Sequence, residues 1–122
     1  MDEEISGQMS LYDTLGVVGS QLTVGDVQPD QPHCFVGFEF YDDAGGQADD
    51  QVEPTAGSIA VAVETVNNPG VFEPITDSPM DLSSQRVTLN FAANVKRVRA
   101  TPTSVTGNGV THYRMRLTTN KS

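Results

Sequence analysis

Cysteine and tryptophan are nearly missing from this sequence, which has one Cys and no Trp among its 122 residues. A single cysteine, Cys34, excludes an internal disulfide framework and any zinc site made of several thiolates. The sequence also lacks the run of about 18 apolar residues that a transmembrane helix requires. Its acidic opening, MDEEISGQMS, is unlike a signal peptide. We therefore expect a soluble domain, made in the cytoplasm of a cell, with no membrane partner.

Basic residues are scarce and are confined to one part of the chain. Lys and Arg number 7 against 16 Asp and Glu, which gives a formal net charge of −9. Because phosphate contacts need positive charge, we expect no nucleic-acid partner. All acidic residues lie between Asp2 and Asp81, and all basic residues lie between Arg86 and Lys121. Either the acidic part folds against the basic part within one chain, or it attracts a second copy or another charged partner.

Catalytic and metal-binding motifs are also lacking. The chain contains no GxSxG, HExxH, P-loop or CxxC pattern. Neither histidine has a catalytic context, and Cys34 lies in an apolar segment typical of a buried thiol. The acidic loop from Asp42 to Gly57 has the oxygen ligands that Ca²⁺ takes, but not the EF-hand spacing, and a solvated loop is the alternative. We expect neither enzymatic activity nor a cofactor.

Apolar alternation and frequent turn residues indicate an all-β chain. No segment keeps the period of an amphipathic helix, whereas the segment HCFVGFEFY (residues 33–41) predicts a central strand. Pro74 predicts that the strand Val71–Thr76 lies at a sheet edge. About six or seven short strands indicate an antiparallel β-sandwich or a jelly-roll-like barrel. We expect residues 1–19 to form an extended N-terminal arm and residues 20–122 to form a single sandwich domain.

The last two predicted strands carry four arginines. Alternation places Arg114 and Arg116 on one face of the final strand, and Arg97 and Arg99 on one face of the strand before it. The turn Gly107-Asn108-Gly109 predicts that the two strands form a hairpin, with all four guanidinium groups on one face. Because like charges across a ladder are destabilising, such a face needs an acid, an anion or open water between the arginines. The candidates are carboxylates of this chain or of a neighbour, an external acidic surface, and a sulfate or phosphate ligand. The predicted partner contacts are Arg97, Arg99, Arg114 and Arg116, together with Ile5, Met9 and Leu11 of the arm.

The sequence from Gly57 onward resembles the small β-sandwich virion proteins of tailed bacteriophages. The likeness lies in GSIAVAVETVNNPGVFEPITDSPMDL and in RVTLNFAANVKRVRATPTSVTGNGVTHYRMRLTT. It implies a structural role as a capsid decoration (cement) protein on the exterior of the virion. Its partners would be the major capsid protein and copies of itself, for which the segregated charge suits a threefold ring. The alternative is a tail or fibre accessory domain that recognises a host-surface ligand, although the few aromatic residues disfavour sugar binding.

Overall fold

A computed structural model describes residues 9–25, 33–75, 78–84, 88–92 and 95–120 of the chain. Within these ranges the chain forms ten strands and two short 3-10 turns, at Ala48–Asp50 and Leu82–Ser84. The strands are β1 (Met9–Val17), β2 (Leu22–Val24), β3 (His33–Tyr41), β4 (Gln51–Val52), β5 (Ala56–Thr65), β6 (Phe72–Pro74), β7 (Met80–Asp81), β8 (Thr88–Ala92), β9 (Val95–Thr106) and β10 (His112–Asn120). Among the residues described, no helix has the length and apolar character needed to span a membrane.

The strands form two antiparallel sheets that face each other across one core. The first sheet has the order β1-β10-β3-β4, and β8 also pairs with β3. The second sheet has the order β2-β9-β5-β6, and β7 also pairs with β5. The predicted all-β class is confirmed, in the form of a sandwich.

The core is made of the inward side chains of both sheets. In β10, Tyr113, Met115 and Leu117 are buried, as the alternation predicted. The ring centroid of Tyr113 lies 6.3 Å from that of Phe38 and 6.5 Å from that of Phe40. The second sheet contributes alternate residues of its two central strands: Ile59, Val61, Val63, Val98 and Ala100. The hydroxyl of Tyr113 donates to the carbonyl of Ser20 at 2.7 Å, which satisfies the polar end of a buried ring.

Several strands lie where the sequence predicted them. β3 covers residues 33–41 and lies inside the first sheet, between β10 on one side and β4 and β8 on the other. β6 ends at Pro74 and lies at an edge of the second sheet, where a missing N–H costs no ladder bond. On the outer side of β5, Ala60 is exposed.

The N-terminal boundary predicted at residue 19 is corrected by the structure. Residues 9–17 are not an arm: they form β1, which pairs with β10 along its whole length, from Met9 opposite Asn120 to Val17 opposite His112. The inward residue Tyr12 packs against the core. The predicted arm residue Ile5 lies outside the described residues. Polar and small residues are mixed with the apolar ones in β1, so its sequence shows only a weak strand pattern. The pairing with β10 defines the strand.

Deletion of residues 1–19 tests this correction. We expect the truncated chain to lose cooperative unfolding or to unfold at much lower urea concentration, because removing β1 exposes the edge of β10 and uncovers part of the core. The measurement is the urea midpoint by circular dichroism. Val71→Ser serves as a control, since Val71 is exposed and lies outside β1, and such a substitution should change stability by no more than about 0.5 kcal/mol. An unchanged midpoint for the truncated chain would show that residues 9–17 do not belong to the sandwich.

Candidate interaction surfaces

The two arginine pairs lie on opposite outer surfaces of the sandwich. Arg97 and Arg99 are on β9 of the second sheet, whereas Arg114 and Arg116 are on β10 of the first sheet. The prediction of one hairpin face carrying four guanidinium groups is therefore wrong. We call the two outer surfaces the β1–β10–β3 face and the β9–β5–β6 face, after the strands that form them.

The alternation within each strand was predicted correctly, but the pairing of the strands was not. β9 buries Val98 and Ala100, and β10 buries Met115. Both strands point these side chains into the same core, one from each sheet, so their arginines point away from each other. The turn at residues 107–109 has the predicted positive φ values of 120°, 54° and 76°. It carries the chain from the second sheet to the first, where the N–H of Thr111 donates to the carbonyl of Tyr41 at 2.9 Å.

On the β1–β10–β3 face, carboxylates of the same chain neutralise both arginines. Asp13 of β1 lies 3.5 Å from Arg114, and Glu39 of β3 lies 3.3 Å from Arg116. This is the intrachain alternative that the segregated charge left open. Exposed pairs of this kind stabilise a fold by only about 0.2–1 kcal/mol each. Their main effect is therefore to balance the charge of the face.

Tyr41 links these two ion pairs. Its hydroxyl donates to Glu39 at 2.6 Å and lies 3.4 Å from Nε of Arg114. Burial, together with the hydrogen bond to Glu39, raises the pKa of Tyr41. Arg114 also donates to the carbonyl of Gly46 at 3.3 Å, which ties the acidic loop to the sheet. The result is a connected network of ion pairs and hydrogen bonds across β1, β10, β3 and the acidic loop.

Exposed apolar side chains surround this network. Leu11 is 64% exposed, Val17 is 46% exposed and Phe35 is 41% exposed. Leu11 and Phe35 lie on either side of Thr118 in the register, so they belong to one row across β1, β10 and β3. Leu11 was predicted as a partner contact, and Met9, predicted with it, begins β1 opposite Asn120. The face combines exposed apolar groups with neutralised charges.

On the β9–β5–β6 face, a buried carboxylate holds Arg97. Glu64 is only 1% exposed and accepts a hydrogen bond from Nε of Arg97 at 2.5 Å. It also accepts one from the N–H of Gly70 at 2.6 Å, which comes from the turn after β5. These two bonds lower the pKa of Glu64 to about 2, and the bond from Arg97 has the larger effect. The carboxylate is therefore ionised over the whole physiological range.

Arg99 stacks on an aromatic ring on the same face. Its guanidinium carbon lies 3.8 Å from the ring centroid of Phe72, and that of Arg97 lies 5.7 Å away. Within the described part of the chain, Nε of Arg99 is buried and has no hydrogen-bond partner. Cation–π stacking of this kind is worth about 0.5–2 kcal/mol. Phe72 thus holds Arg99 in place of a carboxylate.

The remaining candidates from the sequence are Cys34 and the acidic loop. Cys34 is buried, and burial raises the pKa of its thiol to about 11. The acidic loop closes on itself: the N–H of Asp42 donates to the carbonyl of Asp50 at 2.9 Å, and Gly45 N–H donates to Asp43 at 2.8 Å. In the described ranges, no group of three or more His, Cys, Asp and Glu side chains is placed to hold a metal ion.

A small pocket opens where β3 and β4 meet the 3-10 turn at residues 82–84. It has a volume of about 160 Å³ and is lined by Phe38, Phe40, Val52, Pro54 and Leu82, among others. Small-molecule sites usually enclose about 300–1,000 Å³. The pocket is therefore small for a ligand site, and the outer faces are the stronger candidates.

The sequence interpretation missed three residues that shape the two faces. Glu39 and Glu64 each interrupt an apolar strand at an outward position, which was the available signal that a cation lies beside them. Phe72 follows a turn on a short edge strand, and nothing in its local pattern indicated that arginines would stack on its ring. Each of these contacts depends on a neighbour that is distant in sequence.

Comparison with known proteins identifies the family to which this chain belongs. The chain is an all-β sandwich with two arginine-bearing outer faces, and it matches over residues 11–122 the family described as "Domain of unknown function (DUF7265)". Because the match spans most of its length, the chain belongs to this family. No curated protein matches it. A chain from Bacillus endospore appendages, which "form a novel family of disulfide-linked pili", is similar with 10% identity and a TM-score of 0.46, covering 96% of this chain and 90% of that one.

Titration of Glu64 yields a testable pH dependence. Its pKa is about 2 in the folded chain and near 4.5 ordinarily, so its stabilising effect is complete above about pH 4.5. The effect is lost as the pH falls from that value toward 2, because the unfolded chain then binds a proton more readily. We expect Glu64→Gln to lower the urea midpoint at pH 7 and to reduce the loss of stability between pH 5 and about pH 2.

The matched control for this experiment is Glu73→Gln, which removes an exposed carboxylate from the adjacent strand β6. Asp81 also has a lowered pKa, through its bonds to Ser83, so some acid sensitivity should persist in both variants. The account is contradicted if Glu64→Gln and Glu73→Gln show the same stability profile from pH 2 to pH 7.

Proposed function

We propose that this chain is a structural virion protein of a tailed phage, and that it acts as a capsid decoration (cement) protein. In this role it binds the major capsid protein on the capsid exterior and bridges neighbouring capsid subunits. The observation that carries the proposal is the β1–β10–β3 face, where exposed Leu11, Val17 and Phe35 surround arginines that are already neutralised. Such a face is suited to a broad contact with another protein.

The composition of the face supports a protein partner. Leu11 and Phe35 lie in one row with Thr118 between them, and Val17 lies at the other end of β1. Aromatic residues and arginine, both present on this face, are enriched in protein interfaces. A partner that covers Arg114 or Arg116 need not bury an unpaired charge, which is the costly case. Each arginine keeps its carboxylate from the same chain. Binding can then draw mainly on the burial of apolar area.

The resemblance to phage sandwich proteins also supports the proposal. The segments that carry it contribute β5, β9 and β10, which lie inside the two sheets. A decoration protein needs a folded body and an adhesive face. The sandwich supplies the body, and the β1–β10–β3 face is the candidate for the adhesive face. Because one copy that bridges two capsid subunits makes its second contact intramolecularly, modest contacts with each subunit are sufficient for stable attachment.

The copy number in purified particles tests the proposal. Quantitative mass spectrometry of particles that contain the protein should find on the order of hundreds of copies, as expected for a protein that repeats with the capsid lattice. A few to a few tens of copies would instead support the tail or fibre alternative. Absence of the protein from intact particles would reject a virion role.

A single substitution tests which face binds. We expect Phe35→Glu to weaken binding to particles assembled without the protein by about tenfold or more, since about 1.4 kcal/mol corresponds to a factor of ten. The reason is that a charged side chain would replace an apolar one in the face that the capsid protein covers when it binds. The matched control is Ala60→Glu, which places the same charge at an exposed position on the opposite sheet. Equal binding by the two variants in a sedimentation assay would contradict the assignment of the face.

A further inference from the structure

Among the residues that the structure describes, no strand pairs with the outer edge of β1. Along the described chain β1 pairs with β10 on one side, over nine residues and without a bulge. The N–H of Val18 donates to the carbonyl of Thr111 at 3.0 Å, which continues the ladder by one pair. Because ladder bonds alternate along a strand, the even-numbered residues of β1 bond to β10. The odd-numbered ones from Leu11 to Leu15 therefore direct their N–H and C=O groups toward the open side.

This edge lacks the features that usually block strand addition. Natural edge strands are protected by Lys, Pro, bulges or very short length. The sequence of β1, MSLYDTLGV, has no basic residue and no proline, and Asp13 is its single charge. Its exposed apolar residues, Leu11 and Val17, lie three residues before and three residues after Thr14. A strand with such a symmetric pattern is complementary to an antiparallel copy of itself.

We infer that β1 pairs with β1 of a second copy, antiparallel about a twofold axis through Thr14, and joins the two first sheets into one continuous sheet. In the continuous sheet, outward side chains of one β1 lie opposite outward side chains of the other. The numbers of two facing residues then add up to an even number, so the twofold axis passes through a residue and not between two residues. An isologous contact of this kind is self-complementary and closes as a dimer.

Repulsion between like charges favours this register over the register in which the two β1 strands overlap most. An axis through Asp13 would overlap all of β1, but it would place Asp13 opposite Asp13 of the second copy. Like charges directly opposite are destabilising. An axis through Thr14 removes that clash and places Leu11 opposite Val17 of the second copy.

The dimer extends the face that the proposed function uses, yet it does not depend on that function. Two β1–β10–β3 faces become one surface, on which the exposed apolar residues of both edges pack against each other. This twofold contact replaces the threefold ring that the charge pattern suggested. Self-association of the purified chain tests the dimer, whereas particle binding tests the proposed function, so either can fail without the other.

A charge exchange tests both the dimer and its register. Leu11→Lys with Val17→Lys places lysine opposite lysine twice in the dimer, and should raise its dissociation constant at least tenfold in sedimentation equilibrium. Leu11→Lys with Val17→Glu places opposite charges at the same two positions, and should restore the dissociation constant to near that of the original chain. Phe35→Lys is the control, because Phe35 is equally outward but lies on β3, two strands from the edge. It should leave the dimer unchanged.

Three results would overturn the inference: a purified chain that is monomeric at all concentrations, one that forms trimers, or a Lys/Glu variant as dissociated as the Lys/Lys variant. A second measurement examines the register independently. Thr14→Cys should form a disulfide-linked dimer on mild oxidation, because residues opposite each other on the twofold have Cα atoms about 4.5–5.5 Å apart. Asp13→Cys should do so much more slowly, and the reverse order would refute the register. The native Cys34 is buried and does not compete.

Discussion

The structure depends on the burial of two apolar sheet surfaces against each other. Tyr113 lies at the centre of this contact, beside Phe38 and Phe40, and its hydroxyl is bonded to the carbonyl of Ser20. Each large side chain that becomes fully buried contributes about 1.5–3 kcal/mol. An exposed ion pair contributes about 0.2–1 kcal/mol. The core therefore decides which strands are neighbours, and the charged residues occupy the outward positions that remain.

This difference between the energies of core burial and of exposed ion pairs explains where the charged residues lie. The acidic and basic parts of the sequence are separate along the chain, but the core interleaves them in space. Asp13, Glu39 and Glu64 come from the acidic part and meet arginines of β9 and β10. Arg99 is held by the ring of Phe72 instead. The pairs lie on two opposite faces, so each face holds at least one arginine that is already paired with a carboxylate of the same chain.

The sequence predicted the features that local patterns control and missed those that distant partners control. Apolar residues on both faces of the segment at residues 33–41 identified β3 as a central strand, and alternation separated the buried Met115 from the outward Arg114. The glycines at 107 and 109 correctly indicated a turn with positive φ. Such a turn does not determine whether the next strand stays in the same sheet, because the position of β10 depends on pairing with β3. β1 was missed for a similar reason, since its weak pattern becomes a strand only beside β10.

Backbone contacts of the two final strands test this account most directly. Cross-strand nuclear Overhauser effects should join the backbone protons of Met115 to those of Thr14 and Phe38, its partners in the first sheet. They should also join Ala100 to Val61 and Leu22 in the second sheet. Backbone contacts of this kind between β9 and β10 would contradict the account, because they would place the four arginines on one hairpin and remove the division into two separate faces.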